Sequence, residues 1–94
     1  MKAKAYQKGV VTMDYNYKIT GQIVGRLRTQ RGMSQEVLSG LSGVARSHLA
    51  MIETGSKNAN VDTLWRIAQA LEMKLSDLMK LIEDEHERPN AKSK

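Results

Sequence analysis

The chain has 94 residues, 40% of them hydrophobic and 27% charged, with no cysteine, no phenylalanine and a formal net charge of +5. That length holds one domain with a single modest core, which leucine, isoleucine, valine and the six methionines must fill. Without cysteine there is neither a disulfide nor a thiolate metal site, and no apolar run approaches the ~18 residues of a membrane span.

The amino terminus has lysines but no continuous apolar stretch of the secretory kind, so the expectation is a cytoplasmic chain with no membrane partner. The basic balance suits a polyanionic partner. Residues 1–18 carry four lysines against one aspartate, residues 19–82 carry eight basic groups against five acidic, and residues 83–94 reverse the sign.

In chain order, residues 1–18 show no clear period, and Lys2, Lys4 and Lys8 are interleaved with small residues. Three readings stay open: a flexible terminus, a basic arm that follows phosphates, or a strand near Val10–Met13 that pairs across a dimer. A first helix is predicted from Thr20, its N-cap, to Arg31, with Ile23, Val24 and Leu27 as its apolar stripe and Gly32 as its stop. Gly21 and Gly25 each weaken it by up to ~1 kcal/mol relative to alanine, so packing must stabilise it. Arg26 and Arg31 read as solvated-face residues near its end, where the helix dipole favours cations.

Met33 is expected in the core, and Ser34 caps a second helix over Gln35–Leu41. Ser42-Gly43-Val44-Ala45 is too short for anything but a tight turn, with Gly43 where the backbone must reverse. A third helix follows over Arg46–Glu53. Leu38, Val44, Leu49 and Ile52 have the spacing to meet inside the corner, and Ser39 is small enough to let the helices approach. This is the pattern of a helix-turn-helix, whose second helix is the candidate reader of a DNA major groove.

Thr54-Gly55 ends the third helix, and Asn60 caps a fourth with Leu64, Ile67, Ala68 and Leu71 on one face. Trp65 lies about 100° off that face. Ser76 caps a fifth helix, in which Leu78, Met79, Leu81 and Ile82 form the apolar side. The expected fold is all-α with five helices: a basic arm at 1–18, a DNA-binding domain at 19–82, and a charged, disordered tail at 83–94.

Three segments in order, GQIVGRLRTQRGMSQ, LSGLSGVARSHLAMIETG and NVDTLWRIAQALEMKLSDLM, resemble the phage repressor and Cro type of helix-turn-helix domain, the XRE family. The resemblance runs from about Gly21 to Met79. It implies a five-helix, phage-repressor-like DNA-binding domain and a transcriptional regulator, a repressor that reads an operator with helix 3 as a homodimer. Gln35 then matches the residue that clamps a backbone phosphate, where the helix end offers free N–H groups. Arg46, Ser47 and Met51 match base-facing positions, with Ala45 and Ala50 beside them. Lys57 and Asn58 match a phosphate-contacting loop, and Ser34 and His48 join the candidates for phosphate contact. For His48 the alternative is a solvated surface histidine. Arg28 and Glu53 match a structural ion pair between helix 1 and the end of helix 3, which removes Arg28 from the DNA ligands.

Arg46 is the strongest candidate for specificity, because an arginine at the start of a recognition helix can bond guanine O6 and N7 in bidentate fashion. A phosphate contact or a free side chain is the plainer alternative. The chain departs from the pattern at Ala45, which replaces a serine or threonine cap, at Ala59, which replaces a proline, and at Glu72, where glycine often ends helix 4. Met51 stands at a position that is often polar.

An enzyme finds no support. The only histidines are His48 and His86, and there is no cysteine nucleophile, phosphate-cradling glycine loop or HExxH. His86 among Glu83, Asp84, Glu85 and Glu87 reads as part of a charged tail and not as a metal site. No cofactor or metal is expected. Leu78, Met79, Leu81 and Ile82 exceed what a five-helix core needs and suggest a homodimer through the last helix. The partners implied are double-stranded DNA and a second copy. The rival readings are an antitoxin that also binds a toxin protein, and a protein-interaction module on the same scaffold.

Overall fold

A computed structural model of the chain describes residues 14–88. Five helices follow one another: α1 (Tyr17–Gln30), α2 (Gln35–Ser42), α3 (Arg46–Thr54), α4 (Val61–Ala70) and α5 (Leu75–Glu87). There is no strand among the described residues. The strand considered at Val10–Met13 and Lys2, Lys4 and Lys8 of the arm lie outside them, as do residues 89–94.

α1 packs against α3 on one side and α5 on the other, while α2 lies between α3 and α4, and α4 also meets α5. Each helix contributes one apolar stripe to a shared aliphatic core: Ile23 and Val24 from α1, Leu38 from α2, Leu49 and Ile52 from α3, Ile67 from α4. Met33 is half-buried at its edge. Outside the stripes, Leu41 at 61% and Val61 at 68% exposure face solvent.

The first helix starts earlier than its sequence suggested. Asn16, not Thr20, is the cap: its Oδ1 accepts the Lys18 N–H at 3.0 Å. Tyr17 and Lys18 continue the helix, Ile19 extends the stripe one turn ahead of Ile23, and Thr20 sits inside with 1% exposure. An asparagine caps as well as a threonine, so burial of Ile19 decides where the helix begins. Asn16, Tyr17 and Lys18 are therefore the cap and first residues of α1.

The last helix is corrected at both ends. Ser76 is not its cap; Lys74 occupies that position in extended conformation, and its carbonyl accepts the N–H groups of Asp77 and Leu78. α5 then runs on to Glu87, through the stretch expected to be a disordered tail. Lys80–Asp84 and Glu85–Arg88 pair along the helix at 3.5 and 3.3 Å, and His86 packs on Tyr15. Those contacts hold a turn that composition alone reads as frayed.

Candidate nucleic-acid interface

The turn between α2 and α3 is built by small residues. Gly43 has φ +77°, which an L-residue with a side chain rarely adopts, and its N–H donates to the Ser39 carbonyl. The Ser39 hydroxyl donates to the Val44 carbonyl at 2.6 Å, and Ser42 Oγ accepts the Val44 N–H at 3.2 Å. Ser39 is thus a fastener of the turn as well as a small residue. Val44, Leu38, Leu49 and Ile52 are all buried in the corner.

With Leu49 and Ile52 turned inward, α3 presents an opposite face. Arg46, Ser47, Met51 and Thr54 are exposed and Ala50 is half-buried. At 100° per residue these positions share one arc of the helix. Ala45 precedes them, exposed, and makes no side-chain cap. His48 is half-buried and lies about 130° from the middle of that arc, beside Ile52. Arg46 carries no ion pair among the described residues, and neither do Lys57 and Lys18.

The start of α2 lies beside this face. Ser34 Oγ accepts the Val37 N–H at 3.0 Å, which leaves its own proton free to be donated. Gln35 is half-buried, and its side-chain Nε2 donates to Glu53 Oε1 at 3.0 Å. Its second amide proton and the unpaired N–H groups of the helix end remain for an anion.

Arg28 and Glu53 form a two-pronged ion pair, Nε to Oε2 at 2.7 Å and Nη2 to Oε1 at 2.9 Å, with side chains only 15% and 9% exposed. The hydrogen bond to Glu53 raises the Arg28 guanidinium above its ordinary range, against the opposing effect of burial. Its remaining arm donates to the Met33 carbonyl at 2.7 Å. One carboxylate thereby joins α1, the α1–α2 connection, Gln35 and α3. Arg31, read as solvated, instead donates to the Leu71 carbonyl at 3.0 Å and fastens α1 to the end of α4.

After α3, Gly55 turns the chain with φ +83°, and the Met51 carbonyl collects the N–H groups of Ser56 and Lys57. Lys57 and Asn58 are held out on this loop, both exposed, while Ala59 tucks in with 7% exposure. Asn60 Oδ1 then accepts the Thr63 N–H at 2.8 Å and starts α4.

Of the four apolar residues assigned to a partner surface, two are not available to one. Leu78 has 0% and Ile82 has 2% exposure; both complete the core against α1 and α4. Met79 at 36% and Leu81 at 37% stay at the surface, joined by Trp65 at 54%. Trp65, Leu75 and Met79 line one shallow groove between α4 and α5. Sequence reading noted that Trp65 lies off the buried face but assigned it no role. It also passed over Tyr15, whose hydroxyl reaches Asn58, and the contacts of His86.

The helix-turn-helix family model matches residues 24–78. The chain belongs to the helix-turn-helix family of DNA-binding transcriptional regulators. An uncharacterized helix-turn-helix-type transcriptional regulator of Sinorhizobium fredii is 39% identical over 54 residues, which are 57% of this chain and 70% of that protein. Among solved structures, the restriction-modification controller protein C.AhdI from Aeromonas hydrophila superposes with a TM-score of 0.63 at 35% identity. That match covers 66% of this chain and 94% of the controller. The controller C.Esp1396I, solved as a tetramer with its natural 35 base-pair operator, matches with a TM-score of 0.73, 23% identity, and 80% and 99% coverage. At that identity the second match speaks for the fold alone. No helix among the described residues is long and apolar enough to cross a membrane.

Proposed function

We propose that this helix-turn-helix regulator represses transcription from a palindromic operator, which it binds as a cytoplasmic homodimer. The observation that carries the reading is the exposed arc of α3, which presents Arg46 without a competing carboxylate beside the unpaired N–H groups that open α2. In this reading Arg46 and Ser47 hydrogen-bond base edges, and Met51, Ala50 and Ala45 give apolar contact to a thymine methyl. Ser34, Gln35, Lys57 and Asn58 contact phosphates and set the register, with His48 at the margin. C.Esp1396I, which shares the fold, is itself a tetramer on its operator. For the second copy the groove of Trp65, Leu75 and Met79 is an exposed apolar surface, while Leu81 is exposed on the other flank of α5. Two-fold symmetry then sets two α3 helices about 34 Å apart, one turn of the duplex.

Selection of bound duplexes from a random pool at ~150 mM salt tests the reading, because non-specific binding weakens at that ionic strength. The wild type is expected to enrich a palindrome with half-sites one turn apart. Arg46→Ala should relax one base in each half-site, at a cost of about 1–3 kcal/mol for the lost discrimination. If neither protein enriches any sequence, the scaffold serves a protein partner instead, whether a toxin or another regulator.

A further inference from the structure

Tyr15 lies where three parts of the chain meet: the entry to α1, the end of α5 and the loop after α3. Its ring stacks on His86, with centroids 5.5 Å apart and planes inclined by 19°. His86 is itself fixed at both nitrogens. Nδ1–H donates to the Ile82 carbonyl at 2.8 Å, and Nε2 accepts the Asn16 N–H at 3.0 Å, a pattern that requires the neutral ring with its proton on Nδ1.

At its other end the Tyr15 hydroxyl lies 2.6 Å from Thr20 Oγ1 and 3.5 Å from Asn58 Oδ1. A phenol has one proton, and an amide oxygen can only accept. The close pair is with Thr20, where either oxygen can donate, and the longer contact is to the Asn58 amide oxygen, toward which the Tyr15 hydroxyl is the donor. Thr20 is 1% exposed within α1, so these contacts run from the core to an exposed loop. Among the described residues the Asn58 side chain has no other hydrogen-bond partner. Lys18 backs the same loop: a Cβ on Gly55 would stand 2.7 Å from Lys18 Cγ.

We propose that Tyr15 is a positioning residue for DNA binding, holding the Lys57–Asn58 loop in register with α3 from outside the helix-turn-helix. The proposal rests on the reading of Lys57 and Asn58 as phosphate contacts. A loop already ordered loses less freedom when it meets the duplex, so the hydroxyl acts on affinity without touching DNA.

Tyr15→Phe keeps the ring and its stack on His86 and removes only the hydroxyl. In the free protein, nitrogen-15 relaxation should show residues 57 and 58 gaining fast motion while α3 keeps its own. On the selected operator, Tyr15→Phe should weaken binding about threefold to tenfold, the worth of one neutral hydrogen bond. Asn58→Ala should weaken it comparably, and the double variant should be no worse than Asn58→Ala alone. A general loss of stability would not produce that coupling. Additive losses, or an unchanged loop in Tyr15→Phe, overturn the proposal while leaving the regulator reading intact. A wild type that selects no duplex overturns both.

Discussion

Glu72 is the one residue other than glycine with positive φ among the described residues, at 57°. It closes α4: its N–H donates to the Gln69 carbonyl, and the next N–H, of Met73, reaches back to Ala68. That closure requires a left-handed residue, which costs an L-amino acid about 1–2 kcal/mol. Glycine removes the strain but loses more backbone entropy on folding. Glu72→Gly should therefore raise stability by roughly 0.5–1 kcal/mol, read as a higher thermal or urea midpoint. An unchanged or lower midpoint would mean that the Glu72 side chain contributes something its exposure does not suggest. The Arg28–Glu53 pair is the opposite kind of residue-scale feature: its two charges sit largely out of water, and each is satisfied only by the other and by neighbouring polar groups.

Between elements, the decisive approach is that of α1 to α3. Gly21 and Gly25 are one turn apart on the face of α1 that meets α3. A Cβ added at Gly21 would fall on the Ile52 carbonyl oxygen, well inside contact distance, and one at Gly25 would stand 3.3 Å from Glu53 Oε1. The two glycines that weaken α1 as an isolated helix are what lets it seat against the recognition helix and bring Arg28 to Glu53. Gly21→Ala should destabilise the fold by on the order of 3 kcal/mol, because neither backbone can yield. Gly40, inside α2, has nothing within 4 Å of its would-be Cβ. Gly40→Ala should accordingly stabilise by up to ~1 kcal/mol. Chemical denaturation of the two variants side by side checks both signs. Equal effects would remove the close approach as the explanation.

For the whole molecule, the proposed homodimer needs a surface that a second copy can cover. The monomer already encloses Leu78 and Ile82, so the apolar surface left beside α4 is that of Trp65, Leu75 and Met79. Met79→Glu places a charge in the groove without entering the core. The folded chain should keep its stability within about 0.5 kcal/mol, as exposed substitutions do. Sedimentation should then find a monomer, and the operator should be bound half-site by half-site with lower affinity. A dimer that persists would place the interface elsewhere.

How much of this was legible in the chain itself differs by kind of signal. Ser34, Asn60, Gly43 and Gly55 could be read directly, because a cap or a left-handed turn is a property of a residue and its few neighbours. The apolar periods of α2 to α4 were legible for the same local reason, and with them the helix-turn-helix. The start of α1 and the end of α5 were not. Thr20 and Asn16 are near-equal caps, and a charged turn reads as tail; burial of Ile19 and the stacking of Tyr15 on His86 settle both. Leu78 and Met79 are neighbours in sequence and alike in hydropathy, yet one is core and the other surface. Amino-acid order alone thus determined the helices, their turns and the family. Tertiary structure alone decided which apolar side chains were left over, why Gly21 must be glycine, and which distant residues hold the Asn58 loop. Those outcomes depend on how separate helices meet, and no local pattern carries that information.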